Sequence, residues 1–445
     1  MMTIHQSAEE IRQGRLSPME LLDSCLAQID RYESRVQAWV FVDRDSATAQ
    51  CELLTKELSR GHHRGLLHGI PLGIKDIYDV FDWPTAAGSR LWAQSIARRD
   101  ATIVSRLRQA GAIFLGKTTT TQYASFDPSP TRNPWNLGRT PGGSSSGSAA
   151  ALACRMCLGA LGSQTGGSIT RPASYCGVAG CKPTFGRVSC DGVVPLASSM
   201  DHPGPMANCV RDLAIILQAI AGYDPRDPAS AALAVPDYIA PLNEKRTPPR
   251  LGRVRGHFQD KASTDVLRMM DQVSERFRKE GATVTEVALP TSFGTVLSSH
   301  RTVMAVESAA FHRERLGRHP EDYLPEIRKL LEEGLACSAG EYARCKEHQK
   351  QLTQDMAACF EGVDAILAPA TTEAAPDIRS TGNPAFNSPW SYTGLPVVSI
   401  PATHDKDGMP LAIQLAGPAW SEADLVAVSD WCETVLALEA KLPPG

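Results

Sequence analysis

Pro141-Gly142-Gly143-Ser144-Ser145-Ser146-Gly147-Ser148, then an Ala-rich segment, then Gln164-Thr165-Gly166-Gly167-Ser168-Ile169-Thr170-Arg171-Pro172 is the stretch on which the reading of this chain turns. Two Gly-Gly-Ser turns flank one expected helix, which starts near Ser144–Ser148 and runs through Leu152. A Gly pair ahead of a Ser lets the backbone adopt conformations closed to residues with a Cβ. It also lets neighbouring main-chain N–H groups converge on one point, as anion-binding loops require. Two such loops describe a site with several hydroxyls and an amide nest. A base is missing from this stretch and has to come from another part of the chain.

Upstream, Gly69-Ile70-Pro71-Leu72-Gly73-Ile74-Lys75-Asp76-Ile77 sets a single Lys at the end of an expected buried strand. Lysine is almost never fully buried without a partner. Lys75 is therefore either a base that the hydroxyls need, or a strand-end lysine that snorkels or pairs with Asp76 or Asp79. Gly111 to Thr118 matches G-x-x-x-x-G-K-T literally. The expected strand from Ala112 to Leu115 lies inside that match, whereas a nucleotide loop needs its glycines after a strand and a helix starting at the Lys. Gly143-Ser144-Ser145-Ser146-Gly147 also satisfies G-x-S-x-G around Ser145. An esterase elbow needs a strand directly before it, and turn formers precede this one.

Capping boxes at Ser7–Glu10 and Ser17–Glu20 predict two helices near the start, the second with Pro18 at its first position. A further helix is expected over about 46–58, a strand or buried turn over Ala38–Val42, and helices at Thr102–Ala110 and Asn208–Ile220. Leu158–Leu161 reads as a strand that delivers the second loop, and 224–249 as the clearest linker. Strands near 250–257, 284–289, 365–367, 397–400 and 411–415 alternate with helices near 263–279, 300–360 and 422–438. Such alternation, with uniformly apolar runs, predicts an α/β fold: a large mixed, mostly parallel twisted sheet with helices on both faces.

At 445 residues, 42% hydrophobic and 21% charged, the chain has the composition of a globular protein. A formal charge of -4 offers no basic footprint for nucleic acid and no polybasic membrane patch. No run reaches the roughly 20 apolar residues of a membrane span, and no secretory pattern opens the chain, so the expected location is cytoplasmic. Most of the twelve cysteines sit in apolar periodic segments as small hydrophobes, and Cys154-Arg155-Met156-Cys157 has no second pair at zinc spacing. His62, His63 and His68 read as residues of a solvated loop.

The two loops and Gly69–Asp76 together resemble the amidase signature family. So do Cys176-Gly177-Val178, Gly180–Thr184, Ser199–Met206, Phe386–Trp390 and Gly394-Leu395-Pro396. The motifs occur in the family's order and cover nearly the whole chain. Gly116–Thr121 and Thr165–Pro172 are most similar to the malonamidase branch. The resemblance implies one amidase domain over 1-445. Its parts are an N-terminal helical region (1-65), a signature core (66-222), a variable substrate-shaping region (223-380) and the C-terminal part of the core (381-445).

The resemblance further implies a Ser–cis-Ser–Lys triad: Ser168 as nucleophile, Ser144 as the bridging serine at a cis peptide bond, and Lys75 as base. A serine hydroxyl needs such a base. A lysine neutral at pH 7 has to fall by about 3.4 pH units from 10.4, about 4.6 kcal/mol, which burial can supply. Main-chain N–H groups of Thr165, Gly166, Gly167 and Ser168 would form the oxyanion hole. The implied reaction cleaves the C–N bond of a small amide through a Ser168 acyl-enzyme, with no metal or organic cofactor. Arg171, with Gly143, either holds a substrate carboxylate, as in malonamidase-like members, or ties the loop down. The implied partner is a small-molecule amide, with neither nucleic acid nor membrane, and the family suggests a homodimer. Three rivals stand: the amidase subunit of a tRNA-dependent amidotransferase, an esterase using Ser145 with His202 or His404, and a non-catalytic binding protein built on the fold. Glu307, His312, Tyr323 and Asp377 either line the pocket or face away from it.

Overall fold

The computed structural model describes residues 2–244, 247–439 and 441–444. Its strands are β1 (Trp39–Val42), β2 (Pro71–Lys75), β3 (Ile113–Thr118), β4 (Gly159–Gln164), β5 (Ala179–Lys182) and β6 (His202–Ala207). They continue with β7 (Arg250–Val254), β8 (Thr283–Val287), β9 (Ala365–Pro369), β10 (Val397–His404) and β11 (Pro410–Ala416). All eleven share one sheet in the order β1-β3-β2-β4-β6-β5-β10-β11-β9-β7-β8. Every residue of β2, β3, β4, β5, β6, β9 and β11 is buried. Successive strand residues point to opposite faces, so both faces of these strands are covered, as the apolar runs required. Exposed residues appear instead in the edge strands β1 and β8 and at Arg250, the first residue of β7.

The α/β class and the large mixed sheet are as expected, but the balance of strand directions is not. Among the described residues, β2–β3, β2–β4, β7–β8 and β7–β9 are parallel, and the other six pairings are antiparallel. Two strands invisible in the sequence cause much of this. β5 is a four-residue strand, and β6 reads His202-Pro203-Gly204-Pro205-Met206-Ala207, a composition that argues against a central strand. Both run antiparallel to their neighbours in the middle of the sheet.

Several boundaries shift for local reasons. The first helix spans Ile4–Arg12 and starts ahead of the Ser7 box, because Thr3 and Gln6 form the capping box and Ser7 is buried within the helix. The Ser17 box caps Pro18–Val36, as its sequence requires. β3 runs on through Gly116, Lys117 and Thr118, which puts the Lys of the literal nucleotide match inside a strand. His68 is buried, not solvated: one ring nitrogen meets the Leu54 carbonyl and the other accepts the Arg64 N–H. No described helix is long and apolar enough to cross a membrane.

The parallel trio β3-β2-β4 positions the site. Parallel neighbours end on the same side of a sheet, and ligands in α/β folds bind beyond the carboxyl ends of such strands. Ile74 pairs with Leu161 and Lys75 with Thr118, so Lys75, Ser163 and the loop after Gln164 emerge together. The helix Ser146–Ala153 lies wholly buried beside them, its small side chains allowing close approach. At Gly147 a Cβ would stand 2.1 Å from the Ala38 carbonyl oxygen and 2.4 Å from the Thr119 nitrogen, so only glycine fits.

Candidate active site

Lys75 is fully buried, and its Nζ lies 2.7 Å from Ser144 Oγ and 2.8 Å from Ser163 Oγ. Its neighbours are thus hydroxyls, whereas Asp76 pairs with Lys117 at 3.2 Å. Burial holds the Lys75 pKa well below the ordinary lysine value, against a weaker upward pull from Asp201. The Gly143–Ser144 peptide bond is cis, and Gly142 before it takes φ +82°, in the left-handed region that favours glycine. Nothing in the sequence points to Ser163. Its part depends on the β2–β4 register, a long-range pairing with no local signature.

Ser168 stands in the loop between β4 and the helix Thr170–Cys176, 7% exposed. The carbonyls of this loop are all engaged. Thr165 O meets His300 Nε2 at 2.8 Å and Gly166 O accepts the Ser391 hydroxyl at 2.9 Å. Gly167 O accepts the Arg171 N–H at 2.9 Å and Ser168 O the Ser145 N–H at 3.3 Å. In a trans peptide the C=O of one residue and the N–H of the next point in opposite directions. Anchoring the first three carbonyls therefore fixes the N–H directions of Gly166, Gly167 and Ser168. Gln164 closes the loop from inside: its Oε1 accepts the N–H groups of Ile169 and Thr170, each at 3.0 Å. Asn387, from the Phe386–Trp390 motif, donates to the Thr170 hydroxyl and the Ala370 carbonyl.

Asp201 links the loop to Lys75 electrostatically. It accepts the Thr165 hydroxyl and the N–H groups of Leu196 and Ala197. Burial raises its carboxyl pKa to about 6 despite those hydrogen bonds.

Arg171 is 1% exposed and spends its guanidinium on main chain: Nη2 donates to Gly143 O at 2.7 Å and Nη1 to Gly382 O at 2.9 Å. Among the described residues it has no carboxylate partner, its Nε is unpaired, and burial lowers its pKa to about 10. Beside the loop lies a cleft of about 440 Å³ lined by Phe126, Leu297, His300, Met304 and Ser388, with Thr381 and Gly382 in its wall. A Cβ placed on Gly166 would be 3.5 Å from Ser388 Oγ and 3.7 Å from His300 Cε1, so this cleft opens next to the amide nest.

The remaining candidates separate from the site. Ser145 follows a turn and exchanges hydrogen bonds with the Ser163 main chain, so the strand an esterase elbow requires is not there. Glu307 is held by Ser199 and Tyr342, His312 by Tyr323, and Asp377 by Arg379; none of these lines the cleft.

The chain matches the family model described as Amidase over residues 20–426. It is 36% identical over 479 residues to a glutamyl-tRNA(Gln) amidotransferase subunit of Roseiflexus castenholzii, covering 99% of this chain and 97% of that one. It is 34% identical over 458 residues to the protein named AmiD of Mycobacterium tuberculosis, covering 98% and 94%. Among solved structures, it superposes on the native peptide amidase from Stenotrophomonas maltophilia with a TM-score of 0.87. That match has 30% identity and covers 100% of this chain and 98% of that one. A chain from a protein complex described as revealing the origins of an s-triazine catabolic enzyme gives 0.92, at 31% identity and 97% and 98% coverage.

Proposed function

The chain belongs to the amidase signature family and is a hydrolase of C–N bonds, and from that premise we propose a mechanism and a substrate class. Neutral Lys75 takes the Ser144 proton while Ser144 takes that of Ser168, and Ser168 Oγ attacks the amide carbon. The oxyanion forms against the N–H groups of residues 165 to 168. The proton returns through Ser144 to the leaving nitrogen, ammonia or an amine departs, and water hydrolyses the Ser168 ester. The observation that carries this reading is a fully buried lysine whose Nζ touches two serine hydroxyls and, among the described residues, no carboxylate. Deprived of a counterion, the ammonium is disfavoured, and the free amine is the form that can act as a base.

The substrate is a small amide, and whether it bears a carboxylate depends on Arg171. Its commitment to Gly143 O and Gly382 O, and its place outside the lining of the cleft, support a brace that holds one loop against the other. Its unpaired Nε and lack of a carboxylate partner among the described residues support the malonamate-like alternative. The cleft wall built by Leu297, His300 and Met304 supports the part of 223-380 as substrate-shaping.

Ammonia or amine release from malonamate, malonamide, glutamine, an aliphatic amide and an amidated dipeptide tests the reading. Turnover of at least one amide by the wild type, abolished in S168A, is the expected result. An R171A variant that loses malonamate but keeps malonamide identifies a carboxylate reader; equal losses on both identify the brace. Glutamine turnover only with an added partner protein would favour the amidotransferase role instead.

A further inference from the structure

His300 lies outside every motif that brought the site to notice. It sits in the variable region, on the helix Val296–Arg318, and is 3% exposed. Its Nε2 lies 2.8 Å from the Thr165 carbonyl oxygen, which can only accept, so the ring proton is on Nε2. The edge of its ring faces Gly166 from the cleft side. The Thr165 carbonyl and the Gly166 N–H belong to one peptide plane and point in opposite directions. Holding the first therefore aims the second. Leu297, His300 and Met304 follow helical spacing and share one face, and that face walls the cleft.

We propose that His300 is a positioning residue for acyl transfer: its imidazole N–H locks the Thr165–Gly166 peptide so that the Gly166 N–H faces the developing oxyanion. This rests on the mechanism proposed above. It means that the helix which selects the substrate also sets one donor of the oxyanion hole. The other anchors of the loop come from the core: Ser391, just past the Phe386–Trp390 motif, on Gly166 O, the Arg171 N–H on Gly167 O and the Ser145 N–H on Ser168 O. Among the described residues, only the first peptide is held from the variable region. A wrongly seated substrate that displaced this helix would thereby slacken the donor as well as the fit.

The test compares wild type, H300L and H300Q. Leucine fills the space without a donor; glutamine places an N–H donor near the original Nε2. Ammonia release gives kcat and KM on the best amide of the panel. A fluorophosphonate, whose phosphoryl oxygen takes the oxyanion position, gives an independent rate of Ser168 labelling by intact mass. Losing an oxyanion donor outright costs about 100- to 1,000-fold, so slackening one should cost about 10- to 100-fold. H300L is expected to lose that factor in kcat and in labelling rate, with KM within about threefold. H300Q is expected to recover most of it. M304A, on the same face, should load its effect on KM instead.

A loss in H300L confined to KM, equal loss in H300L and H300Q, or unchanged labelling of H300L would overturn the proposal. Should H300L prove too unstable to purify, the H300Q split between kcat and KM decides alone: a kcat within about fivefold of wild type is expected, and a collapse to below a hundredth overturns it. Absence of wild-type labelling at Ser168 sinks the nucleophile assignment and takes this inference with it. Equal labelling of wild type and H300L sinks the inference only.

Discussion

Lys75 ends β2 and Lys117 stands one residue before the end of the neighbouring β3, both without solvent contact, and their surroundings make them opposite in chemistry. Lys117 has a carboxylate, Asp76 Oδ1 at 3.2 Å, and the Thr85 hydroxyl at 3.1 Å. Lys75 has two serine hydroxyls and only the more distant pull of Asp201. Burial lowers the pKa of both, but for Lys117 the neighbouring charge of Asp76 opposes that fall through both its field and its hydrogen bond. Burial alone therefore does not make a basic lysine. What decides is whether the pocket supplies a counterion, and here two lysines one strand apart separate a structural ion pair from a candidate base.

The sharpest way to break that comparison is to exchange the outcomes. K75A and S168A should each lower turnover by about 10⁴-fold or more, as the loss of a nucleophile or its base does elsewhere. K117M should keep turnover within about tenfold wherever it remains folded. Steady-state ammonia release on the best amide checks both. A K117M variant as dead as K75A, at intact secondary structure, would show that the two lysines act as one unit.

Stability should respond in the reverse order. K117M leaves the Asp76 carboxylate buried without its partner, which costs about 3–5 kcal/mol for pairs of this kind. K75M removes an amine that has no ionic partner among the described residues but leaves the Ser144 and Ser163 hydroxyls without it, and should cost about 1–3 kcal/mol, less than K117M. Urea unfolding at pH 7 measures both. The double variant D76N/K117M should recover most of the K117M loss, a coupling that a double-mutant cycle isolates. In K117M the carboxyl pKa of Asp76, already raised by burial, rises further in the folded chain. The folded state then binds the extra proton, so the K117M deficit should shrink as pH falls and grow as pH rises.

The same contrast explains what the sequence can and cannot tell. Lys75, Ser144 and Ser168 lie in short motifs whose glycines and order are local facts, and they can be read directly. Lys117 reads as part of a false nucleotide match and of the Gly116–Thr121 resemblance, but its ion pair is hidden, because its partner Asp76 lies 41 positions away and meets it through β2–β3 pairing. Ser163 is hidden by the β2–β4 register, and His300 by its place in a helix with no recognisable motif. β6 escapes a local reading because two prolines and a glycine in six residues weigh against a strand, while its neighbours β4 and β5 supply the pairing that overrides that preference. The excess of antiparallel pairs follows from the same omission.

The smallest effect tests how far the protein tunes Lys75, the candidate base. With its pKa held down by burial, Lys75 is neutral above that lowered value and protonated below it, so kcat/KM should fall on the acid side as pH drops through it. Asp201 pulls that pKa upward when ionised, and its own carboxyl titrates at about 6. Replacing it by Asn keeps an oxygen to accept from Leu196 and Ala197 while removing the charge. D201N should therefore move the acid limb to lower pH, by roughly half a unit to one unit, provided the wild-type limb lies above about 6, where the carboxylate is charged. K117M, which leaves Lys75 and its hydroxyls in place, should not move the limb in that direction. A limb that stays fixed in D201N, with kcat on the plateau also unchanged, would mean that the titrating group is not Lys75. The distinction between Lys75 and Lys117 would then rest on stability alone.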